Sequence, residues 1–236
     1  MDIKQTQKLR DYLYNFITSQ RAERMRAVLQ QRTRHITFAL ENIYQGHNAS
    51  AVLRSCEING IQDVHIIENH NTFKPTNDIA MGSSKWLSIH KHSNHEENTV
   101  SCINHLKSKG YTIVSTTPHK DEITLDQLPL EKPLALLFGT ELSGLSETAI
   151  QHSDQYVKIP MYGFTESYNI SVSAAICAYN LMQKLRNSDI PWTLTEDEII
   201  ELETEWYRRS IKSSKLLEEK FWERQANKKI NNQSSS

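Results

Sequence analysis

An α/β domain on a parallel sheet, with helical segments before and after it, is the fold class this sequence predicts. Three observations support it. Apolar, strand-like runs alternate with helix-length segments between about 36 and 188, the pattern of a sheet whose crossovers are helices. All seven glycines, from Gly46 to Gly163, lie in that stretch, so turns concentrate there and both ends run on without them. At 236 residues the chain is long enough to bury a sizeable core in one large domain with appendages.

The elements follow in order. Residues 3–31 read as one or two helices, with Leu9, Leu13, Phe16 and Ile17 recurring at helical spacing. "HITFALENI" is a strand, and "NASAVLRSCEING" a helix that starts at Asn48 and is closed by Gly60 as a left-handed cap. "DVHIIEN" is a strand, 70–84 a loop, and "KWLSIHK" another strand. "ENTVSCINHLKSKG" is a helix ending at Gly110. "YTIVST", "LALLFG" and "YVKIP" are strands, with the short helix "LSETAIQHS" before the last. Residues 167–187 form a helix, and 195–226 are helical again behind the cap-like Thr195 and an acidic first turn. The expected division is a basic helical extension over 1–35, the α/β domain over 36–188, a helical extension over 189–227 and a disordered tail over 228–236, where the chain is almost wholly polar.

The formal net charge of −1 conceals an uneven distribution. Residues 1–35 and 206–236 each carry eight basic against three acidic side chains, while 196–205 carries six acidic and no basic ones. Two basic ends around an acidic middle suggest a polyanion gripped by the termini, or else solvated helical faces. Cys56, Cys102 and Cys177 are odd in number and far apart, which implies small core residues rather than a disulfide framework. There is no long apolar run and no signal-peptide pattern, so the chain reads as cytoplasmic, with no membrane partner.

In an open parallel sheet, ligands sit beyond the C-terminal ends of the strands. Three such ends are well equipped here. "YQGHNASAVLR" brings Asn48 and, nearly two turns on, Arg54; "GTELSGLSE" follows "LALLF"; and "GFTESYN" follows "YVKIPM". One site fed by all three is expected. A dinucleotide is disfavoured by the absence of GxGxxG, and a nucleoside triphosphate by Leu145, which stands where a P-loop needs its lysine. No Cys or His pair has metal spacing, and His90, His92 and His95 read as a solvated edge. The loops offer main-chain groups, one carboxylate, one guanidinium and small hydroxyls and amides. That set suits a small polar, adenosine-like cofactor beside a phosphate or hydroxyl substrate placed by Arg54.

The same loops, in order and spacing, resemble the SPOUT superfamily of RNA methyltransferases, and within it the tRNA (guanosine-2′-O-)-methyltransferase branch. The matching motifs are "NASAVLRSCEINGI", "LLFGTELSGLSE" and "IPMYGFTESYNISVSAA", spread over 36–188, and "GSSKWL" at 82–87 fits a further family position. Tyr168 departs from the pattern, which has an aliphatic residue there. The resemblance implies S-adenosyl-L-methionine as methyl donor and a guanosine 2′-hydroxyl of tRNA, at position 18 of the D-loop, as acceptor. It also implies a homodimer and a deep trefoil knot at the C-terminal end of the domain; methyl transfer from a sulfonium is a direct displacement, so no metal is expected. Chain-packing rules alone would draw an unknotted doubly wound sheet.

By this resemblance, Arg54 sits at the ribose hydroxyl. Its pKa makes it a poor general base, so its role is to hold the flanking phosphate and orient the nucleophile. Asn48 positions Arg54 or the ribose, or merely caps its helix. Glu141 anchors its loop or meets the RNA, and Ser167 and Asn169 support Arg54 and the cofactor, or cap the next helix. The cofactor-contacting positions are Thr116, Gly139, Ile159, Met161, Tyr168 and Asn169, with Gly139 permitting close backbone approach. The small residues of "SVSAAICA" would pack at the dimer interface. Arg21, Arg24, Arg26, Arg32 and Arg34 at one end, and Arg208, Arg209, Lys212 and Lys215 at the other, are expected to meet tRNA phosphates. The acidic run 196–205 is then expected to turn toward solvent or a partner subunit. Two rival readings are a ribosomal RNA 2′-O-methyltransferase and a non-catalytic RNA-binding protein on the same fold. The first commonly has a separate globular RNA-binding domain where this chain has about 35 helical residues. The second is expected to have lost Arg54 or the polar third motif, which are present here.

Overall fold

The computed structural model describes residues 2–43, 45–71, 82–117 and 123–233. They separate into two units, one of Thr33–Thr193 and one of Met1–Arg32 with Leu194–Ser236.

In the first unit, apolar runs become the middle of a parallel sheet. Strands β1 (Ile36–Glu41), β2 (Asp63–Ile67) and β6 (Leu134–Phe138) are buried along their whole length; β6 is the continuous apolar run expected of a strand covered on both faces, while β2 buries Asp63 and His65 as well. They are joined by β3 (Ser88–His92), β4 (Thr112–Thr116), β5 (Ile123–Thr124) and β7 (Gln155–Lys158). The order is β3-β2-β1-β6-β4-β7-β5, with every described pairing parallel. β5 departs from the expected set of strands. It is two residues long and carries no periodic signal. The expected strand at "KWLSIHK" is shorter, since Ser83–Trp86 make a 3₁₀ turn before it. Most of the expected 70–84 loop, 72–81, lies outside the described residues.

Crossover helices cover the sheet: α3 (Gly46–Asn59), α4 (Asn98–Ser108), α5 (Glu147–Gln151) and α6 (Ile170–Arg186). α3 ends as expected at Gly60, with φ +90°. Its start differs from expectation. Gln45 is the residue before the first turn, and Asn48 lies inside the helix, so its amide can reach other loops. The small residues of α6 also differ. Ala174, Cys177 and Ala178 are fully buried with Val52, Leu53 and Cys56 of α3, where small side chains let the two helices close together in one chain. Ala174 and Ala178 are therefore unavailable to a partner; the large apolar residues of α6 that face outward are Val172 and Tyr179. All three cysteines are free and buried.

The second unit joins α1 (Ile3–Tyr14) and α2 (Ser19–Leu29) to α7 (Glu196–Ser210) and α8 (Ser214–Gln233). Thr195 and Glu198 form a capping box, of which the sequence suggested the threonine half. α8 is helical through position 233, across most of the expected tail; 234–236 lie outside the described residues. The acidic run does not simply face outward. Glu203, almost fully buried, accepts from Nη1 of Arg10 and of Arg26, each at 2.9 Å. Arg26 also places Nη2 at 2.5 and 2.7 Å from the two oxygens of Glu196. A buried carboxylate needs such countercharge, and the basic N-terminal helices supply it. Among the described residues, no helix is long and apolar enough to cross a membrane.

Candidate active site

One turn shapes the site, and it depends on glycine. A Cβ on Gly139 would lie 2.1 Å from the carbonyl carbon and oxygen of Gly144, so only hydrogen fits there. Gly144 itself has φ +68°, and Thr140 and Gly144 exchange two main-chain hydrogen bonds of 3.0 Å. The far end of this loop is tied to a residue that sequence reasoning missed. Glu41, 1% exposed at the end of β1, accepts from Ser146 N at 2.8 Å, Ser146 Oγ at 2.7 Å and Thr99 Oγ1 at 2.6 Å. The available signal was a carboxylate closing the otherwise apolar run "ITFALE".

Between this loop, the ends of β4 and β7 and the start of α6 lies a cavity of about 340 Å³, within the size range of small-molecule sites. Of the residues expected there, Thr116, Gly139, Ile159, Met161 and Tyr168 line it, and so do Glu141 and Ser167. Thr116 donates its hydroxyl proton to Leu137 O at 2.8 Å, leaving its oxygen as an acceptor. Cys177 closes the floor, its buried thiol pushed up to about 12 by loss of water.

Asn48 gathers the three loops. Buried at 4% exposure, it donates through Nδ2 to Glu141 and, at 3.1 Å, to Gln45 Oε1. Asn169 donates to Asn48 Oδ1 at 3.4 Å. Asn169 also caps α6, its Oδ1 accepting from Ser171 N at 2.9 Å, so the capping reading of that residue holds. Arg54 is placed differently. Six residues beyond Asn48, it points from another side of α3, is exposed, does not line the cavity and has no polar partner among the described residues.

Residues 35–179 match the model of the SpoU rRNA Methylase family. The chain belongs to that family. A curated relative is the tRNA (guanosine(18)-2′-O)-methyltransferase of Borreliella burgdorferi, 44% identical over 206 residues, which are 87% of this chain and 93% of the relative. Among solved structures, the TrmH/SpoU tRNA modifying enzyme of A. aeolicus is 29% identical, with TM-score 0.72 over 81% of this chain and 97% of that one. The SpoU methyltransferase AviRb from Streptomyces viridochromogenes, solved in complex with the cofactor AdoMet, shares the fold at 19% identity, with TM-score 0.58 over 69% of this chain and 62% of that one.

The basic residues of this SpoU methylase are less uniform than their charge suggests. Arg32, 1% exposed, sits 5.3 Å from the Trp206 ring, and Arg26 serves Glu196 and Glu203 as described. Arg34 belongs to the sheet unit, its Nε 3.1 Å from Asp63 Oδ2. Arg208 forks onto Glu218 at 2.7 and 2.8 Å, and Arg209 pairs with Glu205. Arg21 reaches Ser210 Oγ at 3.3 Å. Arg24, Lys212 and Lys215 are exposed, with no polar partner among the described residues. The expected arm thus loses Arg26 and Arg32, which hold together the fold of their own unit.

Glu41→Gln is expected to cost about 2 kcal/mol of stability, because the new amide NH₂ opposes the Ser146 N–H or leaves a buried donor unpaired. Urea unfolding measures it, and a midpoint equal to wild type would contradict the anchoring role.

Proposed function

We propose that this chain transfers a methyl group from S-adenosyl-L-methionine to the 2′-hydroxyl of the guanosine at position 18 of tRNA. The observation that carries this reading is the Asn48 bridge. It draws the polar residues of three separate loops to one cavity at the strand ends, where a cofactor and a hydroxyl substrate can be aligned. The near-complete coverage of the Borreliella burgdorferi relative supports the tRNA substrate over a ribosomal one.

The cavity suits the cofactor. Its lining runs from Gly139 to Leu145, on a turn that can close only because position 139 has no side chain, and takes in Ile159 and Met161. When bound, the cofactor supplies an electrophilic methyl on a sulfonium, a displacement that needs no metal. The protein aligns the reactants and removes water. Glu141 and Asn169 are fixed by Asn48, while the exposed Arg54 is available to hold the RNA phosphate and orient the 2′-hydroxyl.

The trefoil knot belongs to this proposal. β5 pairs outside β7, and the chain then returns to β6 on the other side of β4, leaving a wide loop. Lys184, near the end of α6, donates to the carbonyls of Asp126 and Leu128 within that return, at 2.6 Å each, which supports threading of α6 past it. A homodimer is also proposed, through the exposed Val172 and Tyr179, two turns apart on α6.

Arg54→Ala is expected to lower methyl transfer at least about 100-fold while the dissociation constant for S-adenosylmethionine stays within about two-fold. Radiolabel transfer and calorimetric titration measure the two, with tRNA whose position 18 is adenosine as the blank. Substantial turnover by the variant, or equal labelling of the altered tRNA, contradicts the assignment.

Tyr179→Glu is expected to yield folded monomers by light scattering. Ala174→Glu, at a fully buried position, should instead unfold the domain, with a cost of about 4 kcal/mol or more. A monomeric wild type at micromolar concentration removes the dimer from the proposal.

Replacing Arg24, Lys212 and Lys215 by Gln should lower the slope of log K against log salt for tRNA by about 0.7–0.9 for each phosphate no longer neutralised. Arg26→Gln and Arg32→Gln should lower the melting temperature instead. An unchanged slope in the triple variant would place RNA recognition in the sheet unit.

A further inference from the structure

Toward the other end of the strand order from β4 and β7, edge strand β3 and its neighbour β2 pack against α4, and imidazoles and a thiol collect there. The strand register sets His65 opposite His90 and leaves His92 two residues on, along the same face. From the helix, Cys102 points into the same space, with His105 three residues later on the same side.

His65 Nδ1 and His92 Nε2 are 3.0 Å apart, and these two residues and Cys102 bring their ligand atoms within 4.8 Å of one another. The His105 ring centre is 6.1 Å from those of both His65 and His92. We propose that His65, His92 and Cys102 form a binding site for one zinc-class divalent cation, with His105 completing a tetrahedral set.

The donor chemistry is that of zinc: borderline imidazole nitrogens and a thiolate, without the oxygen donors that magnesium or calcium require. Tetrahedral zinc with ordinary bond lengths holds such donors roughly 3.3–3.7 Å apart. The observed span brackets that range, so small side-chain rotations suffice. Burial first, and neighbouring imidazoles second, push His65 down to about 3 and His92 to about 4, so both rings are neutral and carry lone pairs at pH 7. Cys102 binds as thiolate, its proton leaving to solvent. Burial and then the Glu41 charge hold this thiol up at about 12, a balance that a nearby dication would offset. Cys102 and His65 are buried at 0% and 4% exposure, while His92 is half-buried and His105 exposed, which gives the ion a way in. No spaced motif announces these ligands, because they come from two strands and a helix. A shared proton between His65 and His92 is the competing occupant of the gap.

The test uses the full chain after chelator treatment, titrated with Co²⁺ and then Zn²⁺. Expected are one Co²⁺ per chain, tetrahedral visible bands, a near-ultraviolet sulfur-to-cobalt charge-transfer band, and loss of all three signals when Zn²⁺ is added. Cys102→Ser should remove the charge-transfer band. The double change His65→Asn and His92→Asn should weaken Zn²⁺ binding at least about 100-fold. His152→Asn, an exposed ring elsewhere, should change nothing. A wild-type protein without the charge-transfer band overturns the proposal and needs no variant to be interpreted. So does a band that survives in Cys102→Ser, or an unchanged zinc affinity in the double variant.

Discussion

The carboxylate of Glu41 is the constraint on which the site's shape depends. A carboxyl group at 1% exposure is tolerable only when its oxygens are satisfied, and here three donors approach, from the starts of two different helices. Ser146 does two things at once, giving its N–H and hydroxyl proton to Glu41 and accepting from Ala149 N at 3.1 Å to start α5. Thr99 in turn accepts from Asn69 Nδ2 at 2.8 Å, extending the network toward β2. The loop from 139 to 146 is thus clamped at one end by a steric demand for glycine and at the other by charge.

Much of the fold was legible in the sequence because its signals are local. Apolar runs marked the central strands, Gly60 the end of α3, and Thr195 the start of α7. What was not legible depended on register or on distance. Nothing in "GHNASAVLR" says whether Asn48 caps the helix or lies one turn inside it, yet only the second leaves its amide able to reach Glu141. Likewise, Arg24 and Arg26 look alike in a charge count, but their positions on α2 differ, and one meets buried Glu203 while the other meets water. Seven of the expected site residues line the cavity; Asn48 and Asn169 brace it, and Arg54 stands outside it.

The cavity lining mixes apolar residues such as Phe138 and Leu145 with polar ones such as Thr116, Glu141 and Ser167, and of these Glu141 is held from outside the cavity by Asn48. Tyr168, where the resemblance expects an aliphatic residue, lies half-exposed at the cavity and outside the Asn48 network.

The helical unit is assembled from the two ends of the chain, and that has a consequence for synthesis. Arg10 and Arg26 leave the ribosome long before Glu203, whose carboxylate lies 193 residues after the first and 177 after the second. At about 5–20 residues per second, α1 and α2 wait roughly 10–40 s for the partners that bury them. During that interval the sheet domain is made in full and can fold first. The nascent N-terminal helices, meanwhile, carry arginines without their carboxylate partner and leucines without their cover.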